Sequence, residues 1–245
     1  MKDQIIKLLQ RTLGYERYLI LFAKVKIRFL RYSKKKTAYR WFRDHLPEDA
    51  HVVVVGANVG ITTLPLVTRF PKRQVFAYEP QPANYEALKG VVRSYRLPNI
   101  KTYQTGLSNA KGEMEMILPT FNGVRKQGLA YLNAPTIEGF PEGETSMVEV
   151  DRLDDRPELQ NLPIDGLKVV AENSEYEVFL GAEQILKEKR PFIYCELWDN
   201  DNRRQVLELI SQYNYEVLKL VDGELVPYCK DSFSDRYFFF QPNHG

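Results

Sequence analysis

The run Val52-Val53-Val54-Val55, followed at once by Gly56-Ala57-Asn58-Val59-Gly60, restricts this chain more than any other stretch. Four β-branched residues in a row show no polar alternation. The strand they form must therefore be buried on both faces, as in the middle of a parallel sheet. Glycines directly after it permit a tight bend and a close approach of backbone to another group. A helix over about Thr62–Phe70 follows, then a strand over Gln74–Tyr78, a helix over Pro82–Tyr95 and a short strand over Ile100–Gln104. Such alternation predicts an α/β, doubly wound sheet with helices on both faces.

Residues 106–150 break the rhythm with repeated glycines, and Glu113–Leu118 and Ser146–Val150 alternate like antiparallel strands. They read as an inserted flap with a long mobile loop from Pro119 to Glu144, the kind of segment that covers substrates. Alternation resumes with strands over Leu167–Ala171 and Phe192–Leu197, helices over Glu177–Glu188 and Asn202–Tyr213, and a last strand pair, Tyr215–Leu220 with Arg236–Gln241. Residues 1–45 read as two or three helices. The basic amphipathic part within residues 18–36 suits a helix packed on the domain edge with a solvated basic face. Peripheral contact with an anionic membrane is the rarer alternative.

Lys and Arg number 34 against 32 Asp and Glu, a balance that argues against a nucleic-acid binder. Cys195 and Cys229 form no CxxC pattern, and His45, His51 and His244 lack metal-ligand spacing. A carboxylate metal site from Asp154, Glu172 and Glu196 would want a denser acidic cluster, so no metal is assigned. The N-terminus lacks the order of a signal peptide, and the expected location is cytoplasmic. Oligomeric state is open.

The turn after the first strand has the setting of a nucleotide site, since helix-entry amides can face a polar ligand. Glu79 ends the second strand, 23 residues beyond Gly56. A carboxylate there can accept from two ribose hydroxyls. The bland alternative is a tight strand–helix turn with a solvated acid. A dinucleotide pyrophosphate wants glycine where Asn58 stands, which weighs against a nicotinamide cofactor and favours a phosphate-free ligand such as S-adenosylmethionine.

Five motifs stand in order: Val54-Val55-Gly56-Ala57-Asn58-Val59-Gly60, Tyr78-Glu79-Pro80-Gln81-Pro82-Ala83-Asn84, Leu153-Asp154-Asp155, Lys168 to Ala182, and Arg190-Pro191-Phe192-Ile193-Tyr194-Cys195-Glu196. In that order they resemble the FkbM family of S-adenosylmethionine-dependent methyltransferases. Together they span most of residues 50–242. The resemblance implies a Rossmann-like class I methyltransferase sheet of seven strands, parallel except for one reversed strand near the C-terminus. The helical segment is bounded at 1–48, and the methyltransferase domain, with its flap insertion at about 106–150, runs over 49–245. Gly56, Asn58 and Gly60 would then hold the methionine part of S-adenosylmethionine and Glu79 its ribose, with Ser108 or Asn109 approaching the adenine.

The catalytic candidates are Glu172, after the fourth strand, where a carboxylate can take the proton that a methylated hydroxyl loses, and Glu196, which ends the fifth strand on the ligand side and can bind substrate. Their structural alternatives are a helix cap for Glu172 and a pairing with Arg203 or Arg204 for Glu196. Glu175 shares the loop with Glu172. Lys168, expected near a strand start, reads as structural. The loop Trp198–Asn202 can line an acceptor pocket or cap a helix through Asn200 or Asp201. The expected activity is O-methyl transfer to a sugar, glycan or small metabolite. In two places the chain departs from the family pattern, with Val54 and Val170 where acids usually stand. The competing reading is therefore a catalytically impaired, redesigned or pseudoenzyme scaffold of the same fold.

Overall fold

A computed structural model describes residues 2–132, 143–229 and 236–243. Its first strand, β1 (Val52–Val55), is buried at every residue, as its unbroken apolar run requires. It pairs in parallel with β2 (Val75–Tyr78) on one side and with β9 (Gly166–Val169) on the other. Beyond β2 lies β3 (Ile100–Tyr103), and beyond β9 lies β10 (Phe192–Glu196), both parallel. The sheet continues with β13 (Tyr237–Pro242), antiparallel to β10, then β11 (Tyr215–Val221) and β12 (Glu224–Pro227).

The observed order among the described residues is β12-β11-β13-β10-β9-β1-β2-β3. Eight strands stand where seven were expected. The eighth, β12, folds back on β11 through a two-residue turn at Asp222 and Gly223, both at positive φ. Two strands, β13 and β12, therefore run against the rest.

Helices cover both faces. Helix α4 (Thr63–Arg69) and helix α5 (Pro82–Tyr95) follow β1 and β2. Pro82 opens α5 and Gln81 caps it, its side chain accepting from the Asn84 amide at 2.8 Å. Helix α6 (Glu175–Leu180) and helix α7 (Asp201–Gln212) pack with the face that carries Val53, Val55 and Phe76. The helix expected over Glu177–Glu188 is broken instead. After Leu180 the backbone turns at Gly181 and resumes as a π-helical stretch, Ile185–Lys189. Two contacts explain the break. A Cβ at Gly181 would lie 2.0 Å from the Ser108 carbonyl oxygen. The Asp154 carboxylate caps the second stretch by accepting from the amides of Gln184 (3.0 Å) and Ile185 (3.1 Å).

The N-terminal segment forms α1 (Lys2–Leu13), α2 (Tyr15–Phe29) and α3 (Thr37–His45). Tyr39 and Phe42 of α3 are fully buried against the sheet, where Phe42 meets Phe192 and Tyr194 at ring distances of 5.7 Å. Leu19 and Ala23 of α2 pack with Ala87 and Val91 of α5.

Between β3 and β9 the chain builds a second, mainly antiparallel sheet. It contains β4 (Gly106–Leu107), β5 (Gly112–Phe121), β6 (Val124–Arg125), β7 (Tyr131–Leu132) and β8 (Gly143–Asp151). β5 and β8 pair antiparallel from Gly112 opposite Val150 to Pro119 opposite Gly143. The loop expected from Pro119 to Glu144 is thus strand and turn up to Leu132. Its part at 133–142 lies outside the described residues.

Candidate active site

The turns that follow β1, β2, β9 and β10 border a cavity of about 430 Å³. That volume lies within the range of small-molecule sites, about 300–1,000 Å³. The position, at the carboxyl ends of parallel strands, is where open α/β sheets bind ligands.

Gly56 makes the first wall possible. Its φ is +71°, and a Cβ there would sit 1.8 Å from the carbonyl oxygen of Val170. Only glycine lets this bend lie against the end of β9. Asn58 also adopts positive φ, 50°, a conformation asparagine tolerates. Gly60 serves another purpose. It is not part of the cavity wall, and a Cβ there would meet Leu88 at 2.9 Å and Leu64 at 3.1 Å.

Glu79, 3% exposed, lines the cavity at the end of β2. Its Oε2 accepts from the Asn58 amide at 2.7 Å, and its Oε1 from the Gln81 amide at 3.1 Å and Asn84 Nδ2 at 3.3 Å. A carboxylate has about four acceptor positions, so one remains, on Oε2. The carboxylate thus has room for one ribose hydroxyl rather than the expected two unless a protein donor gives way. Burial pushes its carboxyl up to about 7, although the Asn58 amide and the Asn84 side chain favour the charged form.

The inserted segment that builds the second sheet supplies another wall, with the 3-10 turn Gln127–Leu129 and with Tyr131 of β7. Its Gln127 carbonyl accepts from Asn58 Nδ2 at 3.0 Å and Asn84 Nδ2 at 3.2 Å. The Asn58 side chain is further committed through Oδ1, which accepts from the Val59 amide at 2.7 Å. Asn58 and Asn84 therefore tie the flap to the turn, a role the sequence reading missed. Thr105, Gly106 and Leu107 line the cavity, whereas Ser108 and Asn109 do not. Ser108 is buried with its amide on the Asp151 carbonyl, and exposed Asn109 bonds Arg152 through its own carbonyl.

Both catalytic candidates reach the cavity. Glu172 lies at φ 43°, and its buried Oε2 has no hydrogen-bond partner among the described residues. Burial, and then the carboxylates of Glu175 and Glu196, push it up to about 8. The helix-cap role considered for it is absent from its contacts. Glu175 instead braces the loop, accepting from the Ala171 amide at 2.8 Å and from Asn202 Nδ2 at 2.7 Å. Burial pushes Glu175 up to about 7. Glu196 lines the cavity, while Arg203 pairs with Asp199 and Arg204 with Asp201. Asn200 caps α7 through its side chain, and Trp198 faces the cavity under the Arg236 guanidinium, 3.6 Å from the ring centre.

Lys168 corrects the structural reading given to it. It is 3% exposed and lines the cavity. Burial, with Lys36 adding repulsion, lowers its ammonium to about 8 against the pull of Glu196. Lys168 in β9 and Val170 just past its end stand two apart and both line the cavity, a spacing present in the sequence. Asp154 is turned away into the Gly181 break. Among the described residues no group of three or more His, Cys, Asp or Glu is arranged to hold a metal ion.

The Methyltransferase FkbM domain matches residues 55–217, well over half of the chain. The chain belongs to the FkbM methyltransferase family. S-adenosylmethionine is the cofactor of this domain, and the glycine cradle, Glu79 and the cavity volume fit such a ligand. Methyltransferase sdnD of Sordaria araneosa is 25% identical over 225 residues, 80% of this chain and 85% of that protein. The structure of Methyltransferase FkbM from Methylobacillus flagellatus superposes with a TM-score of 0.54 at 16% identity. It is matched over 93% of this chain, which spans only 55% of that longer one. A Streptococcus mutans protein solved in complex with SAH gives 0.50 at 9% identity, over 85% of this chain and 97% of its own. These last two similarities establish a shared class I fold.

Within the FkbM site, the two valines frame Lys168. Val54 is its register partner across the β1–β9 pairing, and Val170 follows it on the cavity wall.

Proposed function

We propose that this FkbM domain transfers the methyl group of S-adenosylmethionine to a hydroxyl of a sugar, glycan or small metabolite. The observation that carries the reading is the meeting of three groups on one cavity: the Gly56 turn, Glu79 with one free acceptor position, and Glu172 with a buried unpartnered oxygen. The cofactor supplies an electrophilic methyl on a sulfonium. Gly56 and the Asn58 backbone shape the wall for its amino-acid part, and Glu79 takes a ribose hydroxyl. With that methyl donor held beside the acceptor, Glu172 or Glu196 on the cavity wall would take the proton of the hydroxyl whose oxygen receives the methyl group. A cation beside Glu172 favours its ionised, basic form. A methyl ether and S-adenosylhomocysteine result.

Calorimetric titration with S-adenosylmethionine and S-adenosylhomocysteine tests the first half; absence of heat for both at millimolar concentration removes the reading. Mass spectrometry of a mixed panel of sugars and hydroxylated metabolites, scored for added methyl groups, tests the second. Glu172→Gln should lower kcat by roughly 100-fold or more, while S-adenosylhomocysteine, which lacks the sulfonium charge, binds with affinity little changed.

The frame of Val54 and Val170 around Lys168 favours one second reading, an FkbM scaffold with impaired turnover. It expects weak cofactor binding that acids restored at those positions improve.

A further inference from the structure

Of the eleven large apolar side chains that are exposed among the described residues, seven lie in the first 32 positions. Four of them make one line. Leu21, Val25 and Phe29 follow at i, i+4 and i+8 along α2, and Tyr32 continues the line in the turn after it. They are 46%, 48%, 55% and 66% exposed. The opposite side of the same segment is spent on the core, with Leu19, Ala23 and Leu30 buried. The helix therefore has two apolar sides, and only one is covered by protein.

Basic residues border the uncovered side. Arg17, Lys24, Arg28 and Arg31 flank the apolar line, and Lys34, Lys35 and Lys36 follow in sequence. Residues 1–36 hold 11 Lys and Arg against Asp3 and Glu16, so the remainder of the chain is net acidic although the whole carries only +2. The Arg31 guanidinium lies over the Tyr32 ring at 4.7 Å from its centre, and Lys26 over Phe22 at 5.6 Å. A solvated basic face explains the charges but not four exposed apolar side chains in register between them. An exposed apolar stripe rimmed by polar groups marks a surface of interaction.

We propose that α2 and the basic turn after it form a docking face for an anionic lipid bilayer. A helix of 15 residues, apolar along one line and cationic beside it, lies in the headgroup plane with its apolar line in the acyl boundary. Anionic headgroups match the local charge, and a bilayer accepts Leu21, Val25 and Phe29, which a phosphate backbone does not. The segment lies on the bilayer rather than through it, since no helix among the described residues is long and apolar enough to cross a membrane. Phe22 and Lys36 from the same segment also line the cavity, so its rim borders this face.

The experiment is co-sedimentation of the full chain with vesicles of phosphatidylcholine alone and of phosphatidylcholine mixed with phosphatidylserine. Its readout is partition, so it stands or fails independently of methyl transfer. Partition is expected only with the anionic mixture, weakening as salt rises. Arg28→Glu with Arg31→Glu should reduce it by at least about 25-fold, roughly fivefold for each cation lost. Leu21→Ser with Phe29→Ser should remove it while the charges remain. All four positions are exposed, so melting curves should match the parent chain. Three results overturn the proposal: no partition with either vesicle, partition unchanged in either double variant, or a face occupied otherwise. The last would show as binding to single-stranded RNA instead of vesicles, or as a dimer that Leu21→Ser with Phe29→Ser dissolves.

Discussion

The Asn58 backbone amide donates to Glu79 Oε2 at 2.7 Å, which fastens the turn after β1 to the carboxylate that ends β2. One side chain thus shapes the cradle and presents an acceptor to whatever fills it. Removing Glu79 by Glu79→Ala leaves the amides of Asn58 and Gln81 without their acceptor in a buried place. The expected loss is about 2 kcal/mol or more of stability, and roughly tenfold or more in S-adenosylmethionine affinity. Glu79→Gln keeps one acceptor oxygen and should fall between. Melting curves and calorimetry on the three proteins check the order.

Three buried carboxyls give stability an unusual pH dependence. Glu79 and Glu175 are pushed up to about 7 and Glu172 to about 8, all from the ordinary carboxylate value of 4.5. Between 4.5 and those values the folded chain holds protons that the unfolded chain has released. Stability from these groups is therefore full at low pH and is lost as pH rises through about 7 to 8. The domain should melt higher near pH 5.5 than near pH 8 once other titrations are matched. Glu172→Gln should raise stability at pH 8 by about 1–2 kcal/mol and flatten the slope. A melting temperature of Glu172→Gln at or below the parent's at pH 8 would count against burial as the cause.

Lys168 makes a second, opposite contribution. Its ammonium is lowered to about 8 from 10.5, so in that interval the unfolded chain holds the extra proton and stability rises with pH. Val54→Asp places a carboxylate opposite Lys168 in the β1–β9 register, and Val170→Asp places one two residues further on, just past the end of β9. A carboxylate near a cation gains up to about 4 kcal/mol at 4 Å in an intermediate dielectric, before desolvation is subtracted. The expected outcome for Val170→Asp is a Lys168 titration shifted upward and S-adenosylmethionine bound roughly tenfold more tightly, since Val170 lines the cavity. Val54→Asp, away from the lining, should change affinity less. NMR titration of the lysine and calorimetry separate the two; equal affinity in all three proteins would leave the valines no part in binding.

How far the sequence spoke for itself differs by element. β1 was readable because four valines admit a single setting, and α5 because Pro82 suits a first turn. β12 was missed although Asp222-Gly223 between apolar runs is a hairpin signal, and its short strand was overlooked beside the longer pairing of β11 with β13. The break at Gly181 was not readable at all. It is imposed by Ser108, 73 residues earlier, whose carbonyl occupies the space of a side chain. The same limit applies to the site. Glu79, Glu172 and Glu196 were placed by local rules of strand and turn. The grip of Asn58 and Asn84 on the Gln127 carbonyl joins segments that only the folded chain brings together.

The two glycines of the turn invite a direct comparison. Both have positive φ, 71° at Gly56 and 88° at Gly60, so alanine at either place pays a backbone penalty of about 1–2 kcal/mol. The surroundings then separate them. At Gly60 the added methyl meets the ends of the Leu88 and Leu64 side chains, which can rotate away. At Gly56 it meets the backbone carbonyl of Val170 at 1.8 Å, and that oxygen belongs to the chain leaving β9. Relief requires β1 and β9 to part where Val170 donates its amide to the Val55 carbonyl at 3.2 Å. Gly56→Ala should therefore cost several kcal/mol, on the order of 4 or more, and abolish cofactor binding. Gly60→Ala should cost about half as much and leave binding measurable. Chemical denaturation with calorimetry at a temperature where both variants are folded checks the order; a reversal would mean that the wall between Gly56 and Val170 yields more easily than the leucine packing behind it.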